Sequence, residues 1–105
     1  LIFLKTNRRL KMIGLFQQGE TVPIKIHLYN EDDELVNADE VVISIKDINE
    51  TIKINEIEMV NDGIGEYTYN YLLDSDALKG MWKVIIKTTV SPIVTIRNGS
   101  FRVGS

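Results

Sequence analysis

The amino-acid sequence predicts an all-β domain, an antiparallel sandwich of about seven strands. Three observations predict it. Apolar residues recur at every second position from residue 12 onward. Clusters of Asn, Asp, Glu and Gly separate these runs at intervals of roughly 8–12 residues. Helical i, i+3, i+4 spacing is confined to one short piece. A chain of 105 residues suits one domain, and at this length about two-thirds of the unfolded surface is buried on folding.

The elements follow in order. Thr21–Tyr29 places Val22, Ile24, Ile26 and Leu28 on one face and Lys25, His27 and Tyr29 on the other. Pro23 near its start suits the beginning of a strand or an edge. Leu35-Val36, after the turn cluster Asn30–Glu34, is a short strand on the supposition that every connection reverses the chain. Val41, Ile43 and Ile45 then alternate with Val42, Ser44 and Lys46. In Thr51–Val60 the parity breaks, because Ile52 and Ile54 share one face and Ile57 and Met59 the other. One extra residue near Asn55-Glu56 repairs this, which predicts a β-bulge or a break. Asn61–Gly65 is a turn cluster, and Asp62-Gly63 within it is a hairpin signal. Tyr67, Tyr69 and Tyr71 alternate with Glu66, Thr68 and Asn70. Leu73–Lys79 reads as a single helical turn, capped by Asp74 or Ser75 and ended by Gly80. Trp82, Val84 and Ile86 form the next strand, and Ile93–Val103 the last, with Asn98-Gly99 as a kink, bulge or turn inside it.

Several of these motifs carry a resemblance. Gly65-x-Tyr67 matches the strand F pattern of immunoglobulin domains, with Tyr69 where the disulfide Cys stands in them. Gln18-Gly19-Glu20-Thr21-Val22, Gly80-x-Trp82-x-Val84 and Gly99-x-Phe101-x-Val103 extend the match over residues 12–103. The chain is similar to cysteine-free immunoglobulin-like and macroglobulin-type modules of bacterial, archaeal and phage surface proteins. The resemblance implies an immunoglobulin-like sandwich that serves as a spacer, adhesion unit or assembly part. It implies an extracellular, cell-surface or virion location. It also implies structural roles for Gly65, Tyr67, Tyr69 and Trp82, with Tyr67 at a tyrosine corner, its ring buried and its hydroxyl bonded to backbone.

Composition excludes several chemistries. There is no Cys, so disulfides, thiolate nucleophiles and Cys-based zinc sites are absent. One His excludes any site built on two imidazoles. The net charge of −3 argues against general nucleic-acid binding, which draws its affinity from neutralising phosphates. No apolar run of about 18 residues is present, so no helix inserts into a membrane. The charge is uneven. Residues 1–11 hold four of the 12 Lys and Arg and none of the 15 Asp and Glu, leaving a net −7 on residues 12–105. The organisation expected is a basic N-terminal arm, or an added strand led by Leu1–Leu4, followed by the sandwich from residue 12.

Candidate sites are few. His27 lies opposite the apolar face of its strand, and no Ser stands in a nucleophile-elbow pattern, so no enzyme is expected. A hydrolase would need His27 beside a Ser or carboxylate in a cleft. If every connection reverses the chain, residues 30–34, 47–50 and 73–79 share one end. Asp32, Asp33, Asp47, Asp74 and Asp76 are then candidate ligands for Ca²⁺, which takes several loop oxygens at once. The competing reading is solvated carboxylates. Tyr29 and Tyr71 are candidate platforms for a small ligand or carbohydrate. The leading expectation is a non-catalytic module that meets protein partners or copies of itself through loops and sheet edges. The alternative is a carbohydrate-binding module, assisted by calcium or not. Asn49-Glu50-Thr51 and Asn98-Gly99-Ser100 are glycosylation sequons only in a glycosylating secretory route.

Overall fold

The computed structural model describes residues 12–104, so the expected arm or added strand within residues 1–11 lies outside the described residues. Eight strands form: β1 (Met12–Gln17), β2 (Thr21–His27), β3 (Glu40–Lys46), β4 (Ile52–Glu58), β5 (Val60–Gly63), β6 (Glu66–Leu72), β7 (Gly80–Val90) and β8 (Ile93–Gly104). They make a five-stranded sheet in the order β1-β8-β7-β3-β4 and a three-stranded sheet in the order β2-β6-β5. This is an immunoglobulin-like β-sandwich with one more strand than expected. All pairings are antiparallel except one. β1 runs parallel to β8, with Phe16 opposite Val103.

The core is the inward parity of both sheets. Val22, Ile24, Ile26 and Leu28 from one sheet face Val41, Ile43, Ile45, Val84 and Ile86 from the other. Period-2 side chains leave no alternative, since one residue of slip would send each set to water. Trp82 and Phe101 pair across β7 and β8 with ring centroids 5.6 Å apart, and Phe16 meets Phe101 edge-on at 6.1 Å. Such aromatic contacts add about 0.5–1.5 kcal/mol each beyond area burial. Tyr69 packs on the core only partly buried.

β4 carries the predicted irregularity. Ile43 pairs Ile57 and Ile45 pairs Ile54, so three steps on β4 oppose two on β3. The Ser44 hydroxyl accepts the Glu56 N–H at 2.9 Å, and Glu56 sits at φ +48°. Thus Ile54 and Ile57 both pair with inward residues of β3 despite opposite parity, Ile54 packed on the core and Ile57 44% exposed at the edge. A second extra residue, Lys53, brings Ile52 opposite Lys46, on the outer face and 54% exposed.

Four local expectations are corrected. Leu35-Val36 is not a strand. Leu35 makes one bridge to Tyr29, the Asn30 side-chain oxygen accepts the N–H groups of Asp32 and Glu34, and the Val36 N–H bonds the Leu28 carbonyl. The segment closes on itself because an Asn side chain supplies the acceptor that a partner strand would supply. Leu73–Lys79 forms no helical turn but a β-turn closed by the Ala77 N–H on the Asp74 carbonyl. Leu73 and Ala77 are buried, so packing holds this turn in a shape other than helix. β8 passes straight through Asn98-Gly99, held opposite Ile85 and Val84 by a continuous ladder. The β5–β6 hairpin turns at Ile64-Gly65 rather than Asp62-Gly63. Gly65 has φ +71°, and a Cβ there would sit 2.9 Å from the Leu28 carbonyl oxygen and the Val36 nitrogen. Only Gly fits both the left-handed conformation and that approach.

Candidate functional site

The strands carry the loops to two ends. The upper end holds residues 28–39, 64–65 and 91–92. The Leu28 N–H bonds the Gly65 carbonyl there, and the Ser91 N–H bonds Asp39. The lower end holds residues 18–20, 47–51 and 73–79, joined by bonds such as Gly19 N–H to the Asp74 carbonyl. β3 separates the ends by seven residues, about 23 Å at strand rise.

The expected calcium cluster does not assemble. Asp32 and Asp33 lie at the upper end, and Asp47, Asp74 and Asp76 at the lower end. The missing strand at Leu35-Val36 removes the chain reversal that the grouping required. Asp47 is 3% exposed and its carboxylate serves its own turn. One oxygen accepts the N–H groups of Asn49 and Thr51 at 2.9 and 3.0 Å, and Lys53 lies 3.9 Å from the other. Among the described residues no three Asp, Glu or His side chains stand where they could hold a metal ion together.

Tyr29 and Tyr71 are likewise separated. Tyr29 sits at the upper end, its ring stacked on His27 at 6.4 Å. Tyr71 pairs Val22 at the lower end and leans on Trp82 at 6.2 Å. Burial, then the negative charge of Asp74, raise the Tyr71 phenol above its usual value near 10.0. The two rings therefore make no common platform. His27 points outward from β2, and its Nε2 lies 3.2 Å from the Glu66 carboxylate, opposite it on β6.

The structural residues have defined partners. The buried Tyr67 hydroxyl accepts the Ala38 N–H at 3.0 Å. Trp82, 1% exposed, donates its indole N–H to the Leu78 carbonyl at 2.7 Å. The Gly65 N–H bonds the Asn37 side-chain oxygen at 2.8 Å. Asn30 and Asn37 shape the upper end, and sequence reasoning missed both as more than turn residues. The signal for Asn30 was present, since Asn bonding to backbone within a few residues is the reason Asn favours turns, whereas Asn37 reaches Gly65, 28 residues on, and left no local signal. Lys83 pairs with Glu50, and this bond holds the Glu50 carboxyl below its usual range.

Two hollows lie on the outer face of the five-stranded sheet. One, of about 390 Å³, has Val42, Ser44 and Ile85 in the sheet beneath Ile52 and Ile96, with Lys46, Glu56 and Lys87 also lining it. The other, of about 500 Å³, lies at the lower end between Leu15, Lys79, Gly80 and Arg102. Neither was legible in the sequence, because both depend on which strands become neighbours.

No family model matches this chain, and no curated protein matches it. Solved structures do. It is similar to part of the native form of Escherichia coli alpha-2-macroglobulin, with TM-score 0.69 and 21% identity over 99% of this chain. It spans 6% of that protein's length. It is similar to the titin M3 domain at TM-score 0.62 and 12% identity, with all of each chain covered. It is also similar to 18% of an endo-β-1,4-mannanase chain from Thermotoga petrophila, at TM-score 0.58 and 13% identity. These likenesses establish an immunoglobulin-like β-sandwich as the fold.

Proposed function

We propose that the chain is a non-catalytic structural module of a surface or viral assembly, presenting its loop ends to protein partners. One observation carries this reading. The side chains with chemical potential hold the module's own turns and sheets in place. His27 faces Glu66, Asp47 closes its own loop, Tyr67 anchors Ala38, and Trp82 anchors Leu78. Strand addition is disfavoured at three of the edges. β2 carries Pro23, β4 carries two extra residues, and β5 has four residues. Contacts then fall to the ends. Because β1 and β8 are parallel, the chain runs towards the lower end in both its first and its last described strand. That direction suits serial arrangement along one axis.

The test is immunolabelling of the source organism's cell surface and of purified virions. Regularly spaced label on either supports the reading. Label confined to the cell interior contradicts it. A glycan array and calcium-dependent melting address the alternative. Glycan binding lost in Tyr29→Ala, or a melting midpoint raised by millimolar calcium and reversed by chelator, would replace the proposal with a carbohydrate-binding module.

A further inference from the structure

The outer hollow at the lower end has features that the fold does not use. Leu15 projects into it 65% exposed, beside Gly104. Lys79 and Arg102 border it, and among the described residues neither has a hydrogen-bond or ion-pair partner. Other lower-end cations lie by carboxylates: Lys83 is held by Glu50, Lys53 lies beside Asp47, and the charge of Lys46 acts on Glu50. The hollow is therefore an apolar floor between two positive charges held in no ion pair among the described residues, with Asp74 and Asp76 in the same loop as Lys79.

The upper end is its chemical complement. Segment 28–40 holds six Asp and Glu, and segment 59–66 holds two more. Neither segment contains a Lys or Arg, nor does 88–96, the β7–β8 turn with its flanking strand residues. Exposed apolar side chains stand at this acidic end, among them Ile64 at 66% and Leu35 at 39%. One end thus presents carboxylates with exposed apolar side chains. The other presents two cations around an apolar hollow.

We infer that the lower hollow receives the acidic upper end of a second copy of this module. Leu35 or Ile64 meets Leu15, and upper-end carboxylates meet Lys79 and Arg102. The surfaces lie at opposite ends, so the contact is heterologous and repeats head to tail as an open chain. Two acidic ends repel each other, which disfavours the head-to-head alternative. The inference rests on the reading of the chain as a structural module and names its partner.

Analytical ultracentrifugation of the full chain tests it. At low ionic strength the weight-average mass should rise with concentration beyond twice the 12.0 kDa monomer. It should fall back as salt screens the charges. A lower-end variant, Lys79→Glu with Arg102→Glu, should stay monomeric. So should an upper-end variant, Glu31→Gln with Asp32→Asn and Glu40→Gln. All five positions are exposed, and unchanged circular dichroism and melting check their folding. Mixed one to one, the two variants should form a dimer and nothing larger, because each keeps one working end. A wild type that is monomeric at every concentration and salt overturns the inference. So does association that survives either variant, or a mixture that stays monomeric. A third variant replaces Lys5, Arg8, Arg9 and Lys11 with Ser. Association lost only in that variant assigns the cation to the arm and overturns the role of the hollow. Each of these failures leaves the surface labelling result standing, and the converse holds.

Discussion

Tyr67 and Tyr69 stand two residues apart on β6 and hold the module in different ways. The Tyr67 ring is buried and its hydroxyl fixes Ala38, while Tyr69 adds only partly buried area above β2. The Gly65-x-Tyr67 spacing made the burial of Tyr67 legible. Its partner was not legible, because Ala38 lies 29 residues earlier and reaches the hydroxyl by the path of an irregular loop. Tyr67→Phe leaves the Ala38 N–H without its acceptor. It should cost about 1–2 kcal/mol in denaturant unfolding, with the slope unchanged. Tyr71 carries a pH signature. Burial and Asp74 raise its folded pKa, so the neutral phenol is favoured in the fold. The associated stability is fully present below the unfolded value of about 10 and is lost as pH rises through the folded value. Phenolate absorbance should show a titration step above the usual tyrosine value, and Tyr71→Phe should remove it.

The strand β4 shows how far periodicity alone reaches. Parity counting located the bulge near Asn55-Glu56, because Ile54 and Ile57 cannot otherwise face one core. The second extra residue, at Lys53, left no such mark. Ile52 is apolar and still faces outward, where it lines the central outer hollow together with Val42. Deleting Asn55 forces Ile54 and Ile57 onto opposite faces and should cost about 1–2 kcal/mol of apolar burial at this edge. Ser44→Ala removes the bond to the Glu56 N–H and the longer one, at 3.5 Å, that the hydroxyl donates to the Asn55 side-chain oxygen, and should cost about 0.5–1 kcal/mol. Thermal melts of the two variants should rank them in that order. The segments that defeated sequence reading were those set by side-chain acceptors or by packing. Asn30 closed a loop where a strand was expected. Buried Leu73 and Ala77 held a β-turn where a helical turn was expected.

For the whole molecule, the absence of Cys and the charge asymmetry matter most. With no disulfide, the sheets are joined by packing, with Trp82 and Phe101 among the largest fully buried side chains. Trp82→Ala should cost about 3–5 kcal/mol, much of the stability of a domain this size. Calorimetry would show it as a midpoint lower by tens of degrees. Composition disclosed the acidic excess, but the distribution of acids between the ends required the loop path at residues 28–38. The expected gathering of three loops at one end assumed a reversal that the chain does not make. The resulting polarity, an acidic upper end and a cationic lower hollow, underlies the functional account. Its most direct test is residue-resolved NMR of the isotopically labelled full chain, diluted stepwise at low ionic strength. The account predicts that amide shifts move with concentration in residues 30–40 and 62–66 and around Leu15, Lys79, Gly80 and Arg102. Shifts confined to the outer sheet face around Ile52 and Ile85, or spectra independent of concentration, would contradict it.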